Sequence, residues 1–485
     1  MKTFTFQWFT SLRSAALNPS SRRSVAVMIA AAALAGCASF TPDGGFSAVE
    51  QSTKKTIGKE VTWARSDADR GAIDARVREL LQKPLSIDDA TQIALLNNRG
   101  LQASFFELGI SEADFVGAGR LPNPHFTMTR ARVNDEYTIE QALTFNIFSL
   151  ITIPLRTEME KRRFEQTQRM IAMEVLRLAA DTRKAYILAV SAEENSRYME
   201  KVKTVAESSA ELARRMASVG NFNKLSQARE QGFYADAALN HARAAQNQVS
   251  AREKLTRLMG LWGNDIQFKL PERLPDLPTT PDDLPNVEQQ ALSQRLDVQA
   301  MRLSTESLAK NLGLSKATRF INVLEIGPVR ILEGRKSDPY KKGFEVSLEI
   351  PIFDWGSAKV AKSESLYMQS VNSLAEAAIN ARSEVREAYL GYRVNYDIAK
   401  HYRDEVVPIR KRIADENLLR YNGMIIGVFE LLADARAQIT SVNGYIDALR
   451  DFWLAKADLD MAMIGKPNMT PASAGATATA AAAGH

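Results

Sequence analysis

Hydrophobic and polar residues alternate with period two in two stretches of the chain. In the first, Tyr137, Ile139, Leu143, Phe145 and Ile147 alternate with Thr138, Glu140, Ala142, Thr144 and Asn146, with Gln141 as the exception. In the second, Phe344, Val346, Leu348, Ile350 and Ile352 alternate with Glu345, Ser347, Glu349 and Pro351. Successive side chains of a strand point to opposite faces, so each stretch predicts a strand with one apolar and one polar face. Each pairs with an earlier extended stretch. The predicted hairpins are His125 to about Val133 with Glu136 to Ile147, turning at Asn134-Asp135, and Phe320 to Glu333 with Lys341 to Phe353, turning at Arg335-Lys-Ser-Asp-Pro339.

Behind each hairpin the period changes to that of a helix. From about Thr157 the pattern barely pauses until Trp262, and no proline occurs between Pro154 and Pro271. Ile171, Val175, Leu178, Thr182, Ala185, Ala189 and Ala192 recur at gaps of four and three, a heptad-like seam that needs a partner helix. A helix from Thr157 to about Ser218 would be roughly 90 Å long, more than a compact domain requires. The pattern breaks at Val219-Gly-Asn-Phe-Asn-Lys224 and returns to Leu261. In the second copy the seam runs through Val371, Leu374, Ala378, Ala381, Val385 and Ala388. Pro408 should kink or break that helix, since proline removes a donor. The turn follows at Tyr421-Asn-Gly-Met-Ile-Ile-Gly427, and the return helix ends at Met463-Ile-Gly465.

Short helices precede both hairpins. Ser86 is a candidate N-cap with Asp88 and Asp89 in the first turn, and apolar spacing continues to the stop at Leu121-Pro-Asn-Pro124. Asp297-Val-Gln-Ala-Met301 resembles Gly100-Leu-Gln-Ala-Ser104, and Arg386-Glu-Ala-Tyr389 resembles Arg183-Lys-Ala-Tyr186. The chain is therefore a duplication. Its expected parts are a signal peptide (1–36), a lipidated arm (37–84) that is extended from Ala38 to about Arg78, and a first repeat (85–265). A proline-rich linker (266–286), a second repeat (287–466) and an alanine-rich tail expected to be disordered (467–485) follow.

Composition changes this picture in two places. The pI near 9.0 suggests nucleic acid, but Lys2, Arg13, Arg22 and Arg23 lie in an acid-free first 36 residues. Without them 58 basic residues face 57 acidic ones, so no basic surface calls for nucleic acid. Those cations precede the apolar run Val25–Ala35, too short to span a bilayer, which ends in Leu34-Ala-Gly-Cys37. This looks like a bacterial lipobox, with Cys37, the sole cysteine, as the lipidated N-terminus; Ala38 and Ser39 after it lack the aspartate of inner-membrane retention. Catalysis finds no support, since the four histidines are scattered and there is no G-x-S-x-G, Walker loop or H-E-x-x-H. No enzyme activity, cofactor or metal is expected, and the fifteen methionines read as packing.

Four amphipathic strands of about ten residues can cross a bilayer's apolar layer when tilted. They cannot do so as an open sheet, because unpaired edge groups in lipid cost several kcal/mol each. Four are also too few to close a barrel, which takes at least about eight. Strands that face lipid must therefore close with copies of themselves, with Glu140, Glu345 and Glu349 lining a wet lumen.

The duplicated order of elements resembles the TolC-type outer-membrane factor family. Its carriers here are Leu121-Pro-Asn-Pro124, the junction Ile350-Pro-Ile-Phe-Asp-Trp-Gly356, and the returns Arg215–Arg229 and Arg420–Arg436; the lipobox resembles the family's lipoprotein branch. The resemblance implies a mainly α chain with a small transmembrane β part. It further implies a homotrimer whose twelve-stranded β-barrel continues into a periplasmic α-helical barrel. It also implies a periplasmic adaptor, an inner-membrane pump and outer-membrane lipid as partners, with the passage of small toxic compounds or ions as the function. Export of a protein substrate, as in type I secretion, and a pore-less periplasmic scaffold are the competing readings. Arg130, Arg132 and Gly327-Pro328 depart from a plain strand pattern.

By the same resemblance the two helix turns form the tip that closes the duct and meets the adaptor. Val219, Gly220 and Asn221 occupy one turn, and Gly423, Met424, Ile425, Ile426 and Gly427 the other. Met424, Ile425, Ile426, Val428 and Phe429 suit a partner surface or a local core under the turn. Glu430 and Asp434, one helical turn apart, would each form a ring of three carboxylates in a trimer, or else an ordinary solvated acidic face.

Overall fold

The computed structural model describes residues 39–320 and 323–467, apart from the side chain of Phe429. Cys37 and nearly all of the 467–485 tail lie outside these residues. Two compact units emerge, and neither follows the repeats. One consists mainly of Ala113–Glu160 and Lys316–Ser357, the other of Thr41–Glu112, Lys161–Ser315 and the chain from Ala358 onward. Each unit draws on both repeats because like elements of the two copies pack together.

The first unit is built on one antiparallel sheet in the order β1 (His125–Val133), β2 (Glu136–Asn146), β3 (Leu324–Gly334), β4 (Lys341–Leu348). Val133 pairs with Glu136 across a two-residue turn, where Asn134 adopts φ 54°. The strands β1 and β2 begin where the alternation places them. The second hairpin is shorter than its pattern. Strand β4 ends at Leu348, with one further bond from Glu349 N to the Val323 carbonyl at 3.4 Å; beyond it Pro351 has no N–H to give and Ile352 N turns back to the Ile350 carbonyl at 2.9 Å. The β2–β3 ladder also skips a step: Ala142 pairs with Val329 and Phe145 with Ile326, while Pro328 between them offers no donor. Gly327 fits there because any Cβ would lie 1.9 Å from the Leu143 carbonyl.

The second unit is helical. The segment 38–78, expected to be extended, instead forms α1 (Phe46–Ile57) and most of α2 (Asp67–Leu81). Phe46, Val49, Ile73 and Val77 are buried, and a Ser66–Asp69 capping box opens α2. The stripe is only two or three residues per helix, too narrow to stand out as a period. The structure then continues with α3 (Ile87–Asn97), opened by a Ser86–Asp89 capping box, and α4 (Arg99–Ala118). The break between them, unseen in the apolar spacing, has a partner in the second repeat between α7 (Val287–Gln294) and α8 (Leu296–Ala317). Asn98 (φ −64°, ψ 118°) and Arg295 (φ −61°, ψ 121°) occupy equivalent positions in almost the same conformation.

Both breaks cap the far end of a return helix. Helix α5 (Ile147–Ser218) returns as α6 (Lys224–Met259). Asn97 Nδ2 donates to the Met259 and Gly260 carbonyls and Asn98 Nδ2 to Leu258. In the second copy α9 (Ser357–His401) and α10 (Val407–Asn422) return as α11 (Val428–Ala462). There Arg295 Nη1 reaches the Ala462 carbonyl, and Leu296 N the Ile464 carbonyl at 2.8 Å. Terminal carbonyls with no intrahelical donor are thus satisfied twice by one device.

Helix α5 starts ten residues before the expected Thr157 and runs through Pro154. Asn146 opens it by accepting from Ser149 N at 2.8 Å. Its seam holds: Ile171, Val175, Thr182, Ala185, Ala189 and Ala192 are buried, and Leu178 packs against them. The α9 seam is buried only from Ala381 onward and continues through Tyr392, Tyr396 and Ala399. Pro408 is absorbed by a π-turn at Tyr402–Val406. The proline-rich linker, residues 266–286, packs onto the helices. Phe268, Leu274 and Leu277 join the main core, while Tyr396 Oη donates to the Thr279 carbonyl and Trp453 Nε1 to the Pro275 carbonyl.

Candidate functional site

The sheet sorts its charges by face. Directly paired residues share a face, and the register is continuous from β1 to β4. One face carries all five carboxylates of the strands: Glu136, Glu140, Glu325, Glu333 and Glu345, with Thr127, Thr129, Thr138 and Thr144 among them. Of the candidate lumen residues, Glu140 and Glu345 therefore share this face, in different rows. Glu349 lies one residue past the end of β4, with its N–H still reaching the Val323 carbonyl at 3.4 Å. Sequence reading missed Glu325, Glu333 and Lys341, whose alternation is masked by Gly327-Pro328; Lys341 Nζ lies 2.6 Å from Glu333.

The other face is mostly apolar and open. Phe126, Met128, Ile139, Leu143, Phe145, Ile326, Leu332, Phe344, Val346 and Leu348 lie on it, with Phe344 83 % exposed, Ile139 and Leu143 half-buried, and Leu332 buried. Gln141 is paired with Arg330, and Arg330 with Lys342, so the one exception to the β2 alternation belongs to a polar row crossing this face. Arg130 and Arg132 share the face and stack over Tyr137 at 5.6 and 5.2 Å. Strands β1 and β4 each have one edge without a strand partner among the described residues.

The two helix turns are built alike. In the first, Gly220 N donates to Ala217 and Asn221 N to Met216, with Gly220 at φ 81°. In the second, Met424 N donates to Tyr421 and Ile425 N to Arg420. This is one Schellman arrangement in both repeats, but a methionine at φ 59° stands where the first repeat has glycine. Met424 is 93 % and Ile425 75 % exposed, Val219 is also exposed, and Ile426 and Val428 are half-buried. Asn223 caps α6 through Ser226 N, whereas Gly427, its counterpart, caps α11 with no side chain.

The structure does not give Glu430 and Asp434 a common setting. Glu430 is exposed, while Asp434 is half-buried and accepts a short hydrogen bond from Asn417 Nδ2 of α10. A different carboxylate is prominent near the turns. Glu230, which the repeat offset makes the counterpart of Asp434, is buried, accepts from Ser209 Oγ at 2.8 Å, and pairs with Arg436 Nη2 at 2.6 Å. Arg436 lies over Phe233 at 4.3 Å. This group ties α5 and α6 of one repeat to α11 of the other. Aligning the two turns is the signal that could have found it. Nearby, Arg214 and Arg215 hold the exposed Glu211 carboxylate well below its ordinary range, at about 2.

No helix among the described residues is long and apolar enough to cross a membrane. No protein-family model matches the chain, and no curated protein matches its sequence. Solved structures do match. The Campylobacter jejuni CmeC outer membrane channel superposes with TM-score 0.66 at 16% identity, covering 85% of this chain and 91% of that one. The open state of the Neisseria gonorrhoeae MtrE outer membrane channel gives 0.64 at 18%, over 78% and 89%. CusC, described in terms of folding and transmembrane channel formation, gives 0.65 at 18%, over 78% and 92%. The chain thus has the fold of these outer-membrane channels, the fold that its resemblance to the TolC-type outer-membrane factors implies.

Proposed function

We propose that the chain is one protomer of a trimeric outer-membrane exit duct, anchored by lipid at Cys37, in which three sheets close a twelve-stranded barrel above a periplasmic helical tube. The observation that carries this reading is the sheet itself: two free edges, one open apolar face, and every strand carboxylate on the other face. In water such a sheet would aggregate through its edges. In lipid its unpaired edge groups would cost several kcal/mol each. Closure with copies of itself removes both costs and turns the carboxylate face toward a wet lumen.

The charged row sets the depth of the sheet. A cation on the lipid face costs about 2–4 kcal/mol at the bilayer midplane but about 0–1 near an interface. Arg330 and Lys342 therefore belong at the outer interface, with Phe344, Val346 and Leu348 below them in hydrocarbon. The duct does no bond chemistry. It offers a water-filled path for small toxic compounds or ions delivered by an inner-membrane pump through a periplasmic adaptor that docks on the two exposed turns.

The test is conductance. Purified full-length protein should run as a trimer in detergent and open steady channels in planar bilayers. Protein that is soluble without detergent and never conducts would overturn the duct in favour of a pore-less scaffold.

A further inference from the structure

The apolar face carries a row that a purely lipid-facing surface has no reason to contain. Arg330 and Lys342 are directly opposed on β3 and β4, and like charges in that relation repel. Neither has a carboxylate partner among the described residues, nor has Arg130, because every strand carboxylate lies on the opposite face. Gln141 continues the row on β2, and Arg330 stacks over Tyr340 at 5.1 Å. Arg132 and Tyr137 lie toward the hairpin end of the same face. The result is a cluster of guanidinium, ammonium and amide donors bordered by tyrosines, with open apolar rows immediately beside it. Arg132 has the Asp135 carboxylate at 3.5 Å, whereas the repulsion between Arg330 and Lys342 would be relieved by an anion from outside the chain.

We propose that this row binds the phosphates of an outer-leaflet glycolipid, whose acyl chains lie along Phe126, Phe344 and Val346. The inference rests on the exit-duct reading, which turns this face to lipid. Charge complementarity selects the ligand: guanidinium forks bind phosphate oxygens in pairs, and the adjoining apolar rows match acyl chains. A soluble anion would use the first feature and leave the second without purpose.

The test uses detergent-solubilised full-length protein, bisphosphorylated lipid A as probe, and native mass spectrometry to count retained lipid. Wild-type protein should retain lipid A roughly 30-fold better than its dephosphorylated form, from about fivefold for each of two cations. Arg330→Gln with Lys342→Gln should retain the phosphorylated lipid as weakly as wild type retains the dephosphorylated one. The exchange Arg330→Lys with Lys342→Arg should keep retention. Equal retention of both lipids by wild type, or competition by inorganic phosphate at the same concentration, would overturn the lipid site. The conductance assay separates the two levels: a conducting double variant with full retention overturns the lipid row alone, and a wild type that neither conducts nor trimerises overturns the duct and this site together.

Discussion

At the scale of single residues, the two turns are a controlled comparison made by the chain itself. Gly220 takes the left-handed C′ position without strain, while Met424 takes it with a Cβ that costs about 1–2 kcal/mol. A strained, almost fully exposed methionine suits a surface kept for a partner. Met424→Gly should therefore raise thermal stability by about 1 kcal/mol while weakening adaptor binding. Unchanged adaptor affinity would leave the strain unexplained. Tyr186 gives a pH prediction. Burial pushes its phenol from its ordinary value of 10.0 up to about 12, and its Oη donates to the Leu85 carbonyl at 2.7 Å. The unfolded chain ionises first, so this contribution is intact below about pH 10 and lost as pH rises toward about 12. Tyr186→Phe should cost about 1 kcal/mol at neutral pH and flatten the alkaline limb of the stability curve. Ser86 was legible because a cap is a local signal. Glu230 was legible only as the counterpart of Asp434 when the two turns are aligned; its partners Ser209 and Arg436 lie in other helices, and no spacing announces them.

At the scale of elements, periodicity was legible wherever an apolar stripe was long. Helix α5, its seam and both hairpins follow from it. Helices α1 and α2 do not, since two or three buried residues each are too few to set a period, although the Ser66–Asp69 cap was present in the sequence. Proline effects were legible in kind and not in form. Pro154 is tolerated near the start of α5, and Pro408 is met by a π-turn. That π-turn brings Tyr402 against α11 at Gly444, where a Cβ would lie 2.8 Å from the ring. Helix propensity alone favours Gly444→Ala by about 0.5–1 kcal/mol. Overpacking opposes it by about 1–3 kcal/mol, so the variant should be destabilised on balance. Adding Tyr402→Ala should recover the propensity gain relative to Tyr402→Ala alone. Thermal unfolding of the four proteins reads both signs, and a stabilised single variant would mean that Tyr402 moves aside freely.

At the scale of the whole molecule, the two repeats are tied together near the turns by one buried carboxylate. The Glu230–Arg436 pair joins α6 to α11, and Ser209 adds α5 to the same carboxylate. Its acid is buried and its base half-buried, so removing Arg436 strands a buried carboxylate and costs about 3–5 kcal/mol, while removing Glu230 leaves a guanidinium that water can reach and costs less. The equivalent place in the second repeat holds Asp434 with Asn417, a link between neighbouring helices of one repeat. At the turns the charged link therefore crosses between repeats at only one of the two equivalent places, and in a trimer three such links would act in parallel. If they hold the turns closed, Glu230→Ala should raise single-channel conductance or open probability, and Arg436→Ala should do the same. The double variant should add little to either single change, because both remove one interaction. Asp434→Ala, which breaks only a local contact, should leave the resting conductance nearly unchanged. Additive effects of Glu230→Ala and Arg436→Ala would show that each acts through its own surroundings. Unchanged conductance in both would remove the pair from gating and leave it a structural tie.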